Sequence, residues 1–277
     1  MKTMLCAAAA IGALTAASAA QAQSASDWTG PYVGGVVGYG WQAENDDDNE
    51  TVVFDTNLDG TYGDTVRTGT GANAFSPGFC SGGTYQPTPA SACGGNDDGP
   101  EFGVRAGYDW QFGNIVAGVL GEAVRTDVKN SVTAFSTTPA SYTMSRELDG
   151  LLAARVRVGY AVGNSLPYIT GGYAGGAMQR HFSTTNTANT FTETSDSNEW
   201  VDGWQLGGGV EHKITSDLSL GLEYLYTRLE DEGYTVRASG GPAGGPFTSV
   251  NGAGTDFQRT NDEFNVHSVR MAATYRF

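Results

Sequence analysis

Phe102-Gly103-Val104-Arg105-Ala106-Gly107-Tyr108-Asp109-Trp110 is the stretch whose reading decides the fold. Phe102, Val104, Ala106, Tyr108 and Trp110 share one parity; Glu101, Gly103, Arg105, Gly107 and Asp109 share the other. Side chains alternate between the faces of a strand, so this is a strand with one apolar face and one face of charges and glycines. The dyad recurs along the chain. Leu152, Ala154, Val156, Val158 and Tyr160 oppose Arg155, Arg157 and Gly159, and Trp204, Leu206, Gly208 and Val210 oppose Gln205, Gly207, Gly209 and Glu211. Leu220, Leu222, Tyr224 and Tyr226 oppose Gly221, Glu223 and Thr227; Val269, Met271, Ala273, Tyr275 and Phe277 oppose Arg270, Ala272, Thr274 and Arg276. Less regular, glycine-rich segments at residues 32–41, 115–123 and 166–177 bring the total to about eight strands of roughly ten residues, the length of a tilted transmembrane strand.

The connections sort into two kinds. Gln111-Phe112-Gly113-Asn114, Val162-Gly163-Asn164-Ser165 and Ile214-Thr215-Ser216-Asp217 are tight turns. The others run to about 60, 20, 20 and 35 residues, and short turns alternating with long loops mark an outer-membrane barrel. A soluble sandwich has no reason to sort its loops this way. The expectation is an all-β chain: a single eight-stranded antiparallel up-and-down transmembrane β-barrel with long extracellular loops.

The N-terminus fixes the compartment. Lys2, an uncharged small-residue stretch and Ala20-Gln21-Ala22 make residues 1–22 a cleavable signal peptide, with residues 23–277 as the barrel domain and residues 43–100 as a long acidic first extracellular loop. Cleavage removes Lys2 and no acid, taking the formal net charge from −15 to about −16. That acidity argues against nucleic-acid binding. Cys6 leaves with the signal. Cys80 and Cys93 remain, an even pair in an oxidising compartment, and read as one disulfide. No periplasmic module is expected after Phe277.

Trp28-Thr29-Gly30-Pro31-Tyr32-Val33-Gly34-Gly35, followed by Gly38-Tyr39-Gly40-Trp41, resembles the opening strand of small outer-membrane barrels of the OmpA-like and opacity-protein superfamily. Leu166-Pro167-Tyr168-Ile169-Thr170-Gly171-Gly172-Tyr173-Ala174 resembles that group's fifth strand. Residues 203–211 and 220–226 resemble its sixth and seventh. The likeness covers the strands and not the loops, and the first loop is longer than the group usually has. It implies residence in the outer membrane of a Gram-negative bacterium, in contact with outer-membrane lipid. The terminal Tyr275-Arg276-Phe277 resembles the signal read by the outer-membrane assembly machinery, with Tyr275 and Phe277 as its aromatic residues.

An eight-stranded barrel has room inside only for side chains. The inward parity carries Glu101, Arg105, Asp109, Glu122, Arg155, Arg157, Glu211, Glu223, Arg270 and Arg276. Charges of both signs in a poorly solvated lumen must pair, so a salt-bridge plug is expected, with a narrow porin-like channel for ions or small solutes as the alternative.

In the first loop, Asp55-Thr56-Asn57-Leu58-Asp59-Gly60 matches the first half of a calcium loop, D-x-N-x-D-G. Asp55, Asn57, Asp59 and Asp64 are the candidate ligands for calcium. The twelfth position is Val66, so the bidentate glutamate is missing, and Asp64 at position ten, or the nearby acids Asp46, Asp47 and Asp48, would have to substitute. The acidic run at residues 45–50 reads by itself as a solvated loop tip. His181, His212 and His267 lie on different segments, and His267 and Ser268, as strand neighbours, face opposite ways. No catalytic constellation is visible, and no enzymatic role is expected. The leading expectation is a structural envelope protein whose loops meet an extracellular ligand or host surface. Phe75, Phe79, Tyr85, Phe191 and Phe247 are the loop aromatics available as contacts.

Overall fold

The computed structural model describes residues 26–42, 50–89, 93–231 and 233–277, and the signal-peptide segment lies outside them. Thirteen strands follow in order: β1 (Gly30–Trp41), β2 (Val52–Asp55), β3 (Gly78–Ser81), β4 (Gly99–Phe112), β5 (Ile115–Ser136), β6 (Ala140–Tyr160), β7 (Ser165–Thr184), β8 (Thr190–Glu193), β9 (Asn198–Lys213), β10 (Leu218–Glu230), β11 (Val236–Ser239), β12 (Thr255–Arg259) and β13 (Glu263–Arg276).

Eight of these close a ring. β1 pairs with β4, β4 with β5, β5 with β6, β6 with β7, β7 with β9, β9 with β10, β10 with β13, and β13 returns to β1, all antiparallel. Closure removes the free edges that an open sheet presents. The ring contains all eight segments expected from the sequence. Its tight turns use Gly113 and Gly163, at φ 62° and 56°, each followed by Asn, a positive-φ first position that suits a two-residue hairpin turn.

The parity of each strand decides its surroundings. Val37, Val104, Leu152, Ile169, Leu206, Leu222 and Met271 all point outward and are each more than half exposed. Such a continuous apolar belt requires a lipid solvent. Tyr39, Tyr173, Trp204 and Tyr224 edge the belt toward the long loops. Trp110, Phe112, Tyr160, Tyr275 and Phe277 edge it toward the short turns. Glycines on the inward parity let the wall lie close to its neighbours: a Cβ on Gly207 would sit 2.1 Å from the Tyr224 carbonyl oxygen.

The long-loop end departs from the sequence reading. The expected loop of about 20 residues between the third and fourth barrel strands is instead a continuation of both, β5 and β6 pairing up to Ser136 and Ala140 after register shifts near Arg125 and Leu148. The run around Ser131-Val132-Thr133-Ala134-Phe135 alternates apolar residues with small hydroxyls, a contrast too weak to separate from a loop by pattern alone. Both faces of this extension are buried. On one side, the Thr133 hydroxyl donates to the Gly82 carbonyl (2.8 Å), and β3 pairs with residues 132–135. The other side joins a core outside the membrane.

That core gathers all four long connections. β2, β12, β11 and β8 form a separate four-stranded sheet in that order. Phe54, Val66, Phe75, Val132, Tyr142, Met144, Val236, Phe247 and Phe257 bury together beneath it, with Phe182 and Phe191 packed alongside. Phe54 and Phe257 meet edge to face at 4.9 Å, and Phe75 stacks on Phe54 at 4.3 Å. Ring pairs of this kind add to the burial energy, which is why the loops form a domain. Cys80 and Cys93, with Cα atoms 6.2 Å apart, are joined in a disulfide beside β3.

Candidate functional site

Side chains inside the barrel lie in layers. Nearest the short turns, Trp28 is fully buried against Val116, Ala161 and Leu166. Its ring faces Lys213 Nζ (5.1 Å) and the Arg276 guanidinium (5.5 Å), and its backbone N–H donates to Gln111 Oε1 (2.7 Å). The sequence reading used Trp28 only as part of a strand motif. The available signal was a bulky aromatic immediately before the first strand.

Above it, the structure brings together the ten charged residues expected to face the lumen. Arg157 binds Asp109 and, at 2.9 Å, Glu211; Arg276 Nη2 donates to Asp109 Oδ2 at 2.7 Å. Arg155 lies 3.2 Å from Glu122 and 3.1 Å from Glu223. Arg270 binds Glu101 at 2.6 Å and also Glu122, while Arg105 is 3.8 Å from Glu223. Each is at most about 5% exposed. Five guanidiniums meet five carboxylates, so the network is neutral. Inward glycines leave room for these side chains: a Cβ on Gly107 would meet the Tyr32 ring, one on Gly118 the Asp109 carboxylate, and one on Gly221 would lie 3.8 Å from the Arg105 guanidinium. Buried charge is tolerable only in this paired, hydrogen-bonded form.

An apolar layer follows, built from Val128, Leu148, Leu151, Met178, Val201, Leu229, Phe264 and Val266. Over it lies a second ionic layer that the sequence reading missed. Arg146, Arg180 and Arg259 meet Glu50, Glu199 and Asp231. Glu50, expected in a solvated run, is buried at 5% exposure, and residues 45–49 of that run lie outside the described residues. Burial and the adjacent Arg146 push Arg259 below the usual guanidinium range. The partners of this layer come from separated strands and loops, so no local pattern announces them. Together the two layers hold eight of the chain's fifteen Lys and Arg residues. Since each layer balances, the acidic excess of the chain lies elsewhere.

The residues expected to hold calcium are engaged in the turn itself. The Asp55 carboxylate accepts backbone N–H groups from Leu58 (2.6 Å), Asp59 (3.3 Å) and Gly60 (2.7 Å). Asp59 accepts from Thr61 N (2.8 Å), Asn57 from Asp59 N (2.9 Å), and Asp64 from Thr56 N (3.0 Å) and Thr56 Oγ1 (2.7 Å). The Thr61 N–H, and then the Asn57 amide that also donates to it, hold the Asp59 carboxylate below the usual range. Among the described residues no three His, Cys, Asp or Glu side chains converge as a metal site. Asp46, Asp47 and Asp48 lie outside them. The motif folds as a turn over the small sheet, with Tyr62 Oη 3.2 Å from Thr235 Oγ1.

Other expected contacts are also redistributed. Phe75 and Phe247 are core residues and Phe191 is half-buried, leaving Phe79 and Tyr85 exposed. His267 Nδ1 lies 2.6 Å from Tyr224 Oη on the outer face, whereas Ser268 Oγ donates inward to Glu101 (2.9 Å). His212 Nδ1 lies 2.9 Å from Ser165 Oγ, a pair not expected from the sequence. Among the described residues neither imidazole has a carboxylate on its other nitrogen, so no triad geometry results.

The sequence profile of the outer membrane protein beta-barrel domain family matches residues 7–277. The chain belongs to this family. Among its relatives, the 31 kDa outer-membrane immunogenic protein of Brucella melitensis is 31% identical over 180 residues, covering 63% of this chain and 65% of that protein. The 22 kDa outer membrane protein of Rhizobium leguminosarum is 30% identical over 133 residues, covering 48% and 54%. The match thus spans less than two thirds of either relative. Among solved structures, OprG of Pseudomonas aeruginosa overlaps 90% of this chain and 97% of its own, with 12% identity and a TM-score of 0.44. As a member of the outer membrane beta-barrel family, the chain resides in the outer membrane of Gram-negative bacteria, and its apolar belt contacts lipid. The short turns then face the periplasm and the four-stranded sheet stands outside the cell.

Proposed function

We propose that this protein is a closed, non-enzymatic anchor that holds a folded acidic domain at the cell surface. The observation that carries the reading is the neutral network of five arginines and five acids across the lumen, backed by an apolar layer above and Trp28 below. An ion entering such a lumen would have to displace buried pairs whose members cost several kcal/mol each to leave unpaired. The loops present the surface core to an extracellular ligand or host surface. Tyr275 and Phe277, whose rings meet edge to face at 5.1 Å on the outer wall, suit recognition by the assembly machinery.

A narrow channel is the competing reading. It is favoured by the buried polar atoms Arg105 Nε, Tyr32 Oη and Gln205 Oε1, which have no protein partner and so call for internal water. Single-channel recording of the refolded mature protein in planar bilayers separates the two. Silence from protein with verified barrel structure is the expected result; discrete, reproducible conductance steps would overturn the anchor in favour of the channel.

A further inference from the structure

The upper ionic layer joins parts of the chain that the barrel wall does not hold. Glu50 lies in the long connection after the first strand, and its two oxygens accept from Arg259 Nε and Nη2, both at 2.6 Å. Arg259 ends β12 in the last connection, and its Nη1 also donates to the Met144 carbonyl on the β5–β6 extension (3.0 Å). Arg146, on β6, lies 3.8 Å from the same Glu50 and donates to Asp231 Oδ2 (3.1 Å) and to the Glu263 carbonyl (2.8 Å). Arg180, on β7, donates from Nε to the other Asp231 oxygen at 2.8 Å. Each member is nearly or fully buried on its side chain, apart from the half-exposed Glu199.

The position of this layer is as telling as its bonds. Below it lies the apolar layer of Leu148, Leu229 and Phe264, with the Arg146 guanidinium 5.2 Å from the Phe264 ring centre. Above it lies the aromatic core of the surface domain. The lower network is bonded within itself and shares none of these ion pairs. Glu50 is the pivot, because removing its charge leaves Arg146 and Arg259 facing each other without their shared anion.

We infer that Glu50, Arg146, Arg180, Asp231 and Arg259 form a latch that docks the first and last surface loops onto the mouth of the barrel, separately from the interactions that hold the barrel itself. The latch sets the pose in which the surface domain is displayed. It does not depend on whether the lumen conducts.

The sequence supplies a clean probe. Arg67 is the one Lys or Arg between residues 43 and 100, so tryptic cleavage after it reports on the first loop alone. Its neighbour Val66 is buried in the surface core and Arg67 pairs with Asn73, so cleavage requires that loop to open. The experiment compares native protein with Arg259→Gln and Glu50→Gln in detergent micelles or liposomes. It follows trypsin cleavage at Arg67 together with the heat-dependent gel shift of the folded barrel. At least a tenfold faster cut at Arg67 with an unchanged barrel shift is expected for both variants. Cleavage within twofold of the native rate would overturn the latch. Loss of the barrel shift in both variants would overturn it equally, since the layer would then belong to the barrel.

Discussion

Arg155 on β6 reaches Glu223 on β10 at 3.1 Å, between walls three steps apart around the eight-stranded ring. The pair ties opposite sides of the lumen directly, and Glu122 completes the coordination of the guanidinium at 3.2 Å. Arg155→Ala leaves two buried carboxylates short of a partner and is expected to cost about 3–5 kcal/mol. Arg228→Ala, which removes a half-exposed partner of Glu263, is expected to cost less than about 1 kcal/mol. Urea unfolding of both variants in liposomes checks the contrast, and equal losses would remove the distinction between the lumen network and a surface pair.

The disulfide acts locally. Cys80 and Cys93 are thirteen positions apart, and a loop of that size is stabilised by about 3 kcal/mol in the chain-entropy account. Reduction is expected to speed proteolysis of the first loop while the heat-dependent gel shift of the barrel persists. Simultaneous loss of that shift would mean that β3 supports the barrel wall as well.

Glu147 stands on the outer face of the β5–β6 extension, level with Lys129 and Gln179 and above the lipid belt. Burial, and then the nearby Asp127 carboxylate, raise its pKa above the usual carboxylate range. A carboxyl raised on folding contributes stability that is present below its unfolded pKa and lost as pH rises through the folded value. Glu147→Gln is therefore expected to raise Tm at neutral pH, with the gain shrinking in acid. Thermal melts across the acid-to-neutral range test this, and a gain independent of pH would refute it.

Asp55 accepts three backbone N–H groups, so its carboxylate organises the turn by itself. Asp55→Ala is expected to cost about 1–3 kcal/mol of loop stability, the range for leaving such donors unpaired. Added calcium is expected to leave the Tm of the native protein unchanged, because these side chains already serve as acceptors within the turn. A calcium-dependent rise in Tm that Asp55→Ala abolishes would establish the cation site instead.

Period-two alternation determined the barrel from the sequence: the eight spanning strands, their outward and inward faces, and the tight turns at Gly113 and Gly163. It also placed Glu101, Arg105, Asp109, Glu122, Arg155, Arg157, Glu211, Glu223, Arg270 and Arg276 on the inward parity, because on a strand the parity of a residue fixes its face. Which arginine meets which acid was not legible, since Arg155 and Glu223 are brought together by ring closure across 68 positions of chain. The surface core was less legible still. Phe54, Phe75 and Phe257 sit in segments too short to carry a periodic signal, and Glu50 and Arg259 are 209 positions apart. Local alternation reports only which face a side chain takes. The tertiary structure alone decided what lies opposite that face, because burial and ion pairing depend on neighbours that are close in space and remote in the chain.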